Sequence, residues 1–154
     1  MTSQPTDKKS EIARQFINAI PHCSALNMRL DDIGGGVAVI SMPYDERFVG
    51  DPSTGVISGG AVSALMDTCG GAAVMCHDKA PGVTATIDLR IDYMRPATPG
   101  QRITARAECY HVTRSVAFVR AVATDEDGDR PVATATGAFT ADHSLSRKSS
   151  EAAS

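Results

Sequence analysis

The chain of 154 residues has 42% hydrophobic and 21% charged residues, with 15 Lys and Arg against 18 Asp and Glu for a net charge of −3. That is the size and balance of one globular domain, and with no basic block a nucleic-acid partner is not expected. No apolar stretch follows the N-terminal lysines or approaches the length of a bilayer span, so no membrane partner and a cytoplasmic location are expected.

Residues 1–8 and 142–154 are polar, small and without periodicity, which predicts loose tails around a domain at 9–141. Within it, KSEIARQFINAI (9–20) places Ile12, Phe16, Ala19 and Ile20 at helical spacing, with Ser10 as N-cap and Pro21 as a stop. LNMRLDDIGGGVAVISMP then reads as two strands around a turn at Gly34 to Gly36, followed by the loop PYDERFVGDPSTG. The run SGGAVSALMDTCGGAAVMC (58–76) predicts a long, almost wholly buried helix.

From Val83 the period becomes two, with Ile87, Leu89, Ile91 and Tyr93 on one side and Thr86, Asp88, Arg90 and Asp92 on the other. Strands at 101–110, 115–124 and 131–141 follow, joined by short links. Short links favour antiparallel neighbours, and one long apolar helix among so many strands belongs across the concave face of the sheet. The fold class is α+β.

One residue stands out in the long helix. Asp67 is surrounded at helical spacing by Ser63, Ala64, Gly70 and Gly71, with Gly60 beyond, while Val62, Leu65, Met66 and Met75 occupy the rest of the circumference. The thin stripe leaves room for a partner backbone or a slender ligand. A glycine inside a helix costs roughly 1 kcal/mol relative to alanine, so Gly70 and Gly71 together need a reason such as close approach. A carboxylate in such surroundings must find donors or shift its pKa, and acids tuned this way serve as general bases or nucleophiles. At the helix start Ser58 is a good N-cap, and Gly59 and Gly60 leave first-turn amides open at the positive end of the dipole, where they can hold an oxyanion. The alternative for Asp67 is a structural acid bonded to Thr86 or a loop amide; for Asp51 it is an Asx turn before Pro52.

The stretches GVISGGAVSALMDTCGGAAV and GVTATIDLRIDYMRPATPG together resemble the hotdog-fold acyl-CoA thioesterases of the PaaI type. SGG, six residues and Asp67 follow the spacing of the family's HGG and acidic residue, and DYMRPA follows its Tyr-Met/Leu-x-Pro-Ala signature. The resemblance spans residues 22–141 and implies a hotdog fold, an antiparallel sheet wrapped around one central helix. It implies an acyl-CoA substrate, no cofactor and no metal, with Asp67 as base or nucleophile, the Gly60 amide as oxyanion donor and Thr86 orienting water. It further implies a site at a dimer interface, hence a homodimer as the minimal unit and commonly a homotetramer. Two positions depart from the family: Ser58 replaces its His, and Asp51, one residue further off, replaces its Asn or Gln. These departures motivate the other expectation, an acyl-CoA-binding module without turnover; a hydratase, which would pair the acid with a nearby His, ranks last.

Cys23, Cys69, Cys76 and Cys109 lie scattered in apolar runs and read as reduced core thiols. His22, His77, His111 and His143 read as structural or surface residues. The strand arginines are expected to pair with Asp88, Asp92 and Glu108, and Arg95 and Arg114, beside turns, are the candidates for CoA phosphates, with Gly59 also on the substrate.

Overall fold

The computed structural model describes residues 8–80 and 82–141. The expected tails therefore lie outside the described residues, except Lys8, which already begins the first helix. The chain forms α1 (Lys8–Ala19), α2 (Pro21–Ala25), β1 (Arg29–Gly34), β2 (Val37–Met42) and a 3-10 turn at Glu46–Phe48. A short hairpin, β3 (Val49–Asp51) with β4 (Val56–Ile57), leads into α3 (Gly59–Met75). After it come β5 (Thr86–Tyr93), β6 (Ile103–Val112), β7 (Val116–Thr124) and β8 (Ala133–Thr140). All pairings are antiparallel, and the main sheet has the order β1-β2-β6-β7-β8-β5. Helix α3 crosses its concave face over β2, β6 and β7, the hotdog arrangement that the resemblance implied.

Alternation along the strands explains how the helix seats so closely. The inward positions of β6, β7 and β8 are largely alanine, among them Ala105, Ala107, Ala121, Ala123 and Ala133, none more than 4% exposed. Against this shallow floor α3 sets Leu65, Met66 and Cys69, while Ile40, Ile103, Val119 and Phe139 supply bulk between the alanines. The Cys69 thiol donates to the carbonyls of Ala38 and Ala105, both at 3.3 Å, tying the helix to β2 and β6. Burial pushes its pKa up to about 12, so it stays a protonated donor. All four cysteines are free and buried.

The β1–β2 turn falls where the glycines predict it, with Gly36 at φ +82° and its amide donating to the Cys76 carbonyl. α1 departs from expectation. Its buried residues are Ser10, Ala13 and Ile17, whereas Ile12 and Phe16 are 43% and 46% exposed. The cause is Lys9, whose Nζ donates to the carbonyls of His77, Asp78 and Ala80 at 2.9, 2.9 and 2.7 Å. Those carbonyls follow the C-terminal end of α3, where the dipole favours a cation. Lys9, Ala13 and Ile17 share one helical face, so this clamp sets the rotation of α1 and turns Phe16 aside. Ser10 lies inside the helix and does not cap it; Pro21 ends α1 but also opens α2.

The two adjacent glycines of α3 serve different ends. A Cβ on Gly70 would lie 2.9 Å from the Phe139 ring, whereas one on Gly71 would meet nothing closer than 3.8 Å. Gly70→Ala forces a buried ring to move, which costs about 1–3 kcal/mol against the roughly 1 kcal/mol gained in helix propensity. Gly71→Ala gains the propensity without the clash. Urea unfolding should therefore show a lowered midpoint for Gly70→Ala and a raised one for Gly71→Ala.

Candidate active site

Helix α3 has two unlike sides. Val62, Leu65, Met66, Cys69 and Gly70 are buried against the sheet, whereas Gly60, Ser63, Ala64, Asp67 and Gly71 are exposed or only partly covered. The small stripe seen in the sequence is thus the side that one chain leaves open, with Gly70 turned away from it to Phe139. Asp67 is half-buried, not enclosed.

Its partner comes from β5 through a change of parity. Strict alternation would put Thr86 outward with Asp88, Arg90 and Asp92. The β5–β8 register slips between Thr86 and Asp88, so Thr86 faces Phe139 while Asp88 faces Ala138. This bulge turns Thr86 to the helix side and Ile87 out, where it is 56% exposed. The Thr86 hydroxyl donates to Asp67 Oδ1 at 2.7 Å. Oδ2 has no acceptor or donor partner among the described residues, and it remains available to a water or a ligand. The pair lines a cavity of about 250 Å³ that also reaches Phe16, Ile20, His22 and Met75.

At the start of α3, Ser58 is the N-cap, its Oγ accepting from the Gly60 amide at 3.2 Å. Ala61 N–H bonds the Ser58 carbonyl. Among the described residues the Gly59 amide has no acceptor, which makes it the open donor of the first turn. Tyr93 secures this turn. Its hydroxyl donates to the Gly59 carbonyl at 2.8 Å and bonds Ser63 Oγ, and its ring packs 3.4 Å from where a Gly59 Cβ would stand. Gly59 and Tyr93 line a second, larger cavity of about 430 Å³ with Ile57, Val62, Met94 and Pro96. Gly59, with its open amide, and Asp67 therefore belong to different cavities of the single chain.

Of the other candidates, Arg95 lines the Gly59 cavity, while Asp51 and Arg114 line neither. The Asp51 carboxylate accepts from Ser53 N–H (3.0 Å), Ser53 Oγ (2.6 Å) and Thr54 Oγ1 (2.9 Å), an Asx turn between β3 and β4. Those donors, Ser53's foremost, hold its carboxyl below the usual range. It lines neither cavity. Arg95 forks onto Asp125 at 2.7 and 2.8 Å and donates to the Arg130 carbonyl, so its guanidinium closes the β7–β8 connection. Arg114 stands exposed in the β6–β7 turn. Of the expected arginine pairs, Arg120 meets Glu108 across β6 and β7 at 3.5 Å and Arg90 meets Asp92 along β5 at 3.4 Å. The sequence reading missed Tyr93, Phe16 and His22 as neighbours of the site. Only Tyr93 carried a signal, as the first letter of the DYMRPA signature.

The comparisons with known proteins agree with this architecture. The model of the Thioesterase superfamily matches residues 54–132. A putative esterase of Halobacterium salinarum is 31% identical over 100 residues, covering 63% of this chain and 66% of that protein. The medium/long-chain acyl-CoA thioesterase YigI of Escherichia coli is 25% identical over 122 residues, 71% of this chain and 78% of its own length. A crystal structure of a Pseudomonas aeruginosa protein superposes with a TM-score of 0.76 at 38% identity, covering 86% of this chain and 98% of that one.

Two outcomes test the placements. Tyr93→Phe keeps the ring on Gly59 and removes the hydroxyl, so amide exchange at Gly60 to Val62 should quicken while the β6–β7 amides stay unchanged. Asp125 is held well below the ordinary carboxylate range, first by the Arg95 hydrogen bonds. Its stabilisation is complete above the unfolded value of about 3.9 and is lost as pH falls from there through the folded value. Urea midpoints measured from pH 5 down to 2 should fall more steeply for the native chain than for Asp125→Asn.

Proposed function

Since the chain belongs to the thioesterase superfamily, we propose that it hydrolyses an acyl-CoA thioester to the free acid and CoA, with Asp67 activating the attacking water. The observation that carries this reading is the Thr86–Asp67 hydrogen bond on the open side of α3. Thr86 fixes one carboxylate oxygen and leaves the other to take a proton from water, and its own oxygen can accept a hydrogen bond from that water. Water so held attacks the thioester carbonyl carbon, the developing oxyanion is received by a first-turn amide, and the C–S bond breaks with the thiolate leaving as CoA. Of the two glycine amides, Gly59's needs no rearrangement, whereas Gly60's would leave Ser58. The similarity to a curated acyl-CoA thioesterase supports the substrate class. Direct attack by Asp67 Oδ2, giving a mixed anhydride that water then opens, uses the same groups.

The working unit in this proposal is a homodimer. Amide donor and carboxylate line different cavities in one chain, so a carbonyl reaches both only where a second copy brings the cavities together. β5 supports such pairing: it is a sheet edge, and Ile87, Tyr93 and Met94 are each more than half exposed beside it. Association would also cover Asp67 and strengthen its electrostatics. Homotetramers, a cytoplasmic location and an independence from metals and cofactors belong to the same proposal. Among the described residues no helix is long and apolar enough to cross a membrane.

Thiol release from a panel of acyl-CoAs tests the assignment. Asp67→Asn should lower turnover by about 10²–10⁴-fold, the share of a general base, with the dimer unchanged in sedimentation. Thr86→Val should cost about 10- to 100-fold, the worth of a hydrogen bond to a charged group. Turnover equal to the native chain's in Asp67→Asn would end the proposal. Tight binding of an acyl-CoA with no thiol release by the native chain would favour the binding module.

A further inference from the structure

The cavity at Asp67 has walls that the chemistry of hydrolysis does not use. Beyond Asp67 and Thr86 its apolar lining comes from Phe16, Ile17 and Ile20 at the end of α1, from Gly71 and Met75 of α3 and from Phe139 of β8, with His22, Thr68 and Thr84 as its other polar members. From Asp67 to Met75 it follows α3 for a little over two turns, about 12 Å. The absence of a side chain at Gly71 keeps the space open, since the nearest atoms stand 3.8 Å from where its Cβ would be. Phe16 is large, apolar and 46% exposed, an arrangement that a passing apolar ligand would satisfy. The wall is also firmly held: Lys9 clamps one end of α1 to three carbonyls, Ala13 and Ile17 are 0% and 3% exposed, and Cys23 Sγ in α2 reaches Thr68 Oγ1 at 4.0 Å.

We infer that α1 and the residue after it select the acyl group, with Phe16 and Ile20 limiting its length, so that the substrates are thioesters of compact acyl groups. The inference rests on the hydrolase reading above. A cavity of about 250 Å³ exceeds the roughly 150 Å³ that accommodates benzene, so it takes one aromatic ring with a short linker, or an aliphatic chain of like bulk. A long fatty chain must pass Phe16 to fit. Because Lys9 orients α1 so that Ala13 and Ile17 face the core, Phe16 can be changed without opening that core.

The test compares native chain, Phe16→Ala and Phe16→Trp in kcat/KM for butanoyl-, hexanoyl-, octanoyl-, dodecanoyl-, hexadecanoyl- and benzoyl-CoA. It is paired with the affinities of the matching S-alkyl-CoA thioethers. The native chain should favour octanoyl-CoA or shorter, and benzoyl-CoA, over hexadecanoyl-CoA. Phe16→Ala should raise the hexadecanoyl to octanoyl ratio by about tenfold or more, the discrimination a methylene-sized change gives in an apolar pocket. Phe16→Trp should shift the preference toward butanoyl-CoA. Thioether affinities that shift in the same order without any thiol release would leave this inference standing and remove the hydrolase reading. Length profiles of the three proteins that coincide in thioether affinity overturn the inference, whatever the turnover.

Discussion

A sheet face floored with alanine, on which α3 lies close enough for its Cys69 thiol to bond two strand carbonyls, is the constraint from which the rest follows. Side chains of ordinary bulk at Ala105, Ala107 or Ala121 would lift the helix off the sheet. At the observed spacing the helix spends its large residues inward, and Gly70 must be bare because the Phe139 ring occupies the place of its Cβ. What remains for the outer side is small: Gly60, Ser63, Ala64 and Gly71 around one carboxylate.

That division also locates the chemistry. A carboxylate on the sheet side would be an unpaired charge in the core and would be neutralised. On the open side it stays within reach of water and ligand, and Thr86 donates to one of its oxygens while leaving the other open. The helix start is held by a different set of contacts, Ser58 beneath and Tyr93 across, so that the open Gly59 amide is presented rigidly. Preorganised donors of this kind are effective because they need no reorganisation when charge develops. The two halves lie on one rigid helix about two turns apart, too far for one carbonyl to meet both in the same chain, which suits a second copy that sets the helix start of one chain beside the carboxylate of the other.

The edges of the domain show how distant contacts tune this plan. Lys9 reaches from α1 to the carbonyls beyond α3, and so the rotation of a peripheral helix is set by the end of the central one. Arg95 and Asp125 do the same for the connection between β7 and β8, where a forked pair buries its carboxylate beside Thr98. Asp51 satisfies its charge within its own turn, bonding Ser53 and Thr54. Of these groups, Arg95 and Asp51 were candidates for ligand contact from the sequence, and in the single chain each already holds partners, Arg95 on Asp125 and Asp51 in its own turn.

The amino-acid sequence by itself determined the order of the main elements, the Ser58 cap, the glycine turn, and the isolation of Asp67 on a small-residue stripe. These are local matters: a period of 3.6 or 2, a capping oxygen, a residue type out of keeping with its neighbours. The family was legible for the same reason, because its motifs are short and contiguous. The α2 helix and the β3–β4 hairpin were not legible, being too short to show a period. Only the tertiary structure decided which face of α1 is buried, since a periodic pattern with apolar residues on both candidate faces is settled by the Lys9 clamp, across 68 to 71 residues of sequence. Likewise the inward turn of Thr86 arises from one extra residue in the pairing with β8, and strand alternation read from β5 alone points that hydroxyl the wrong way.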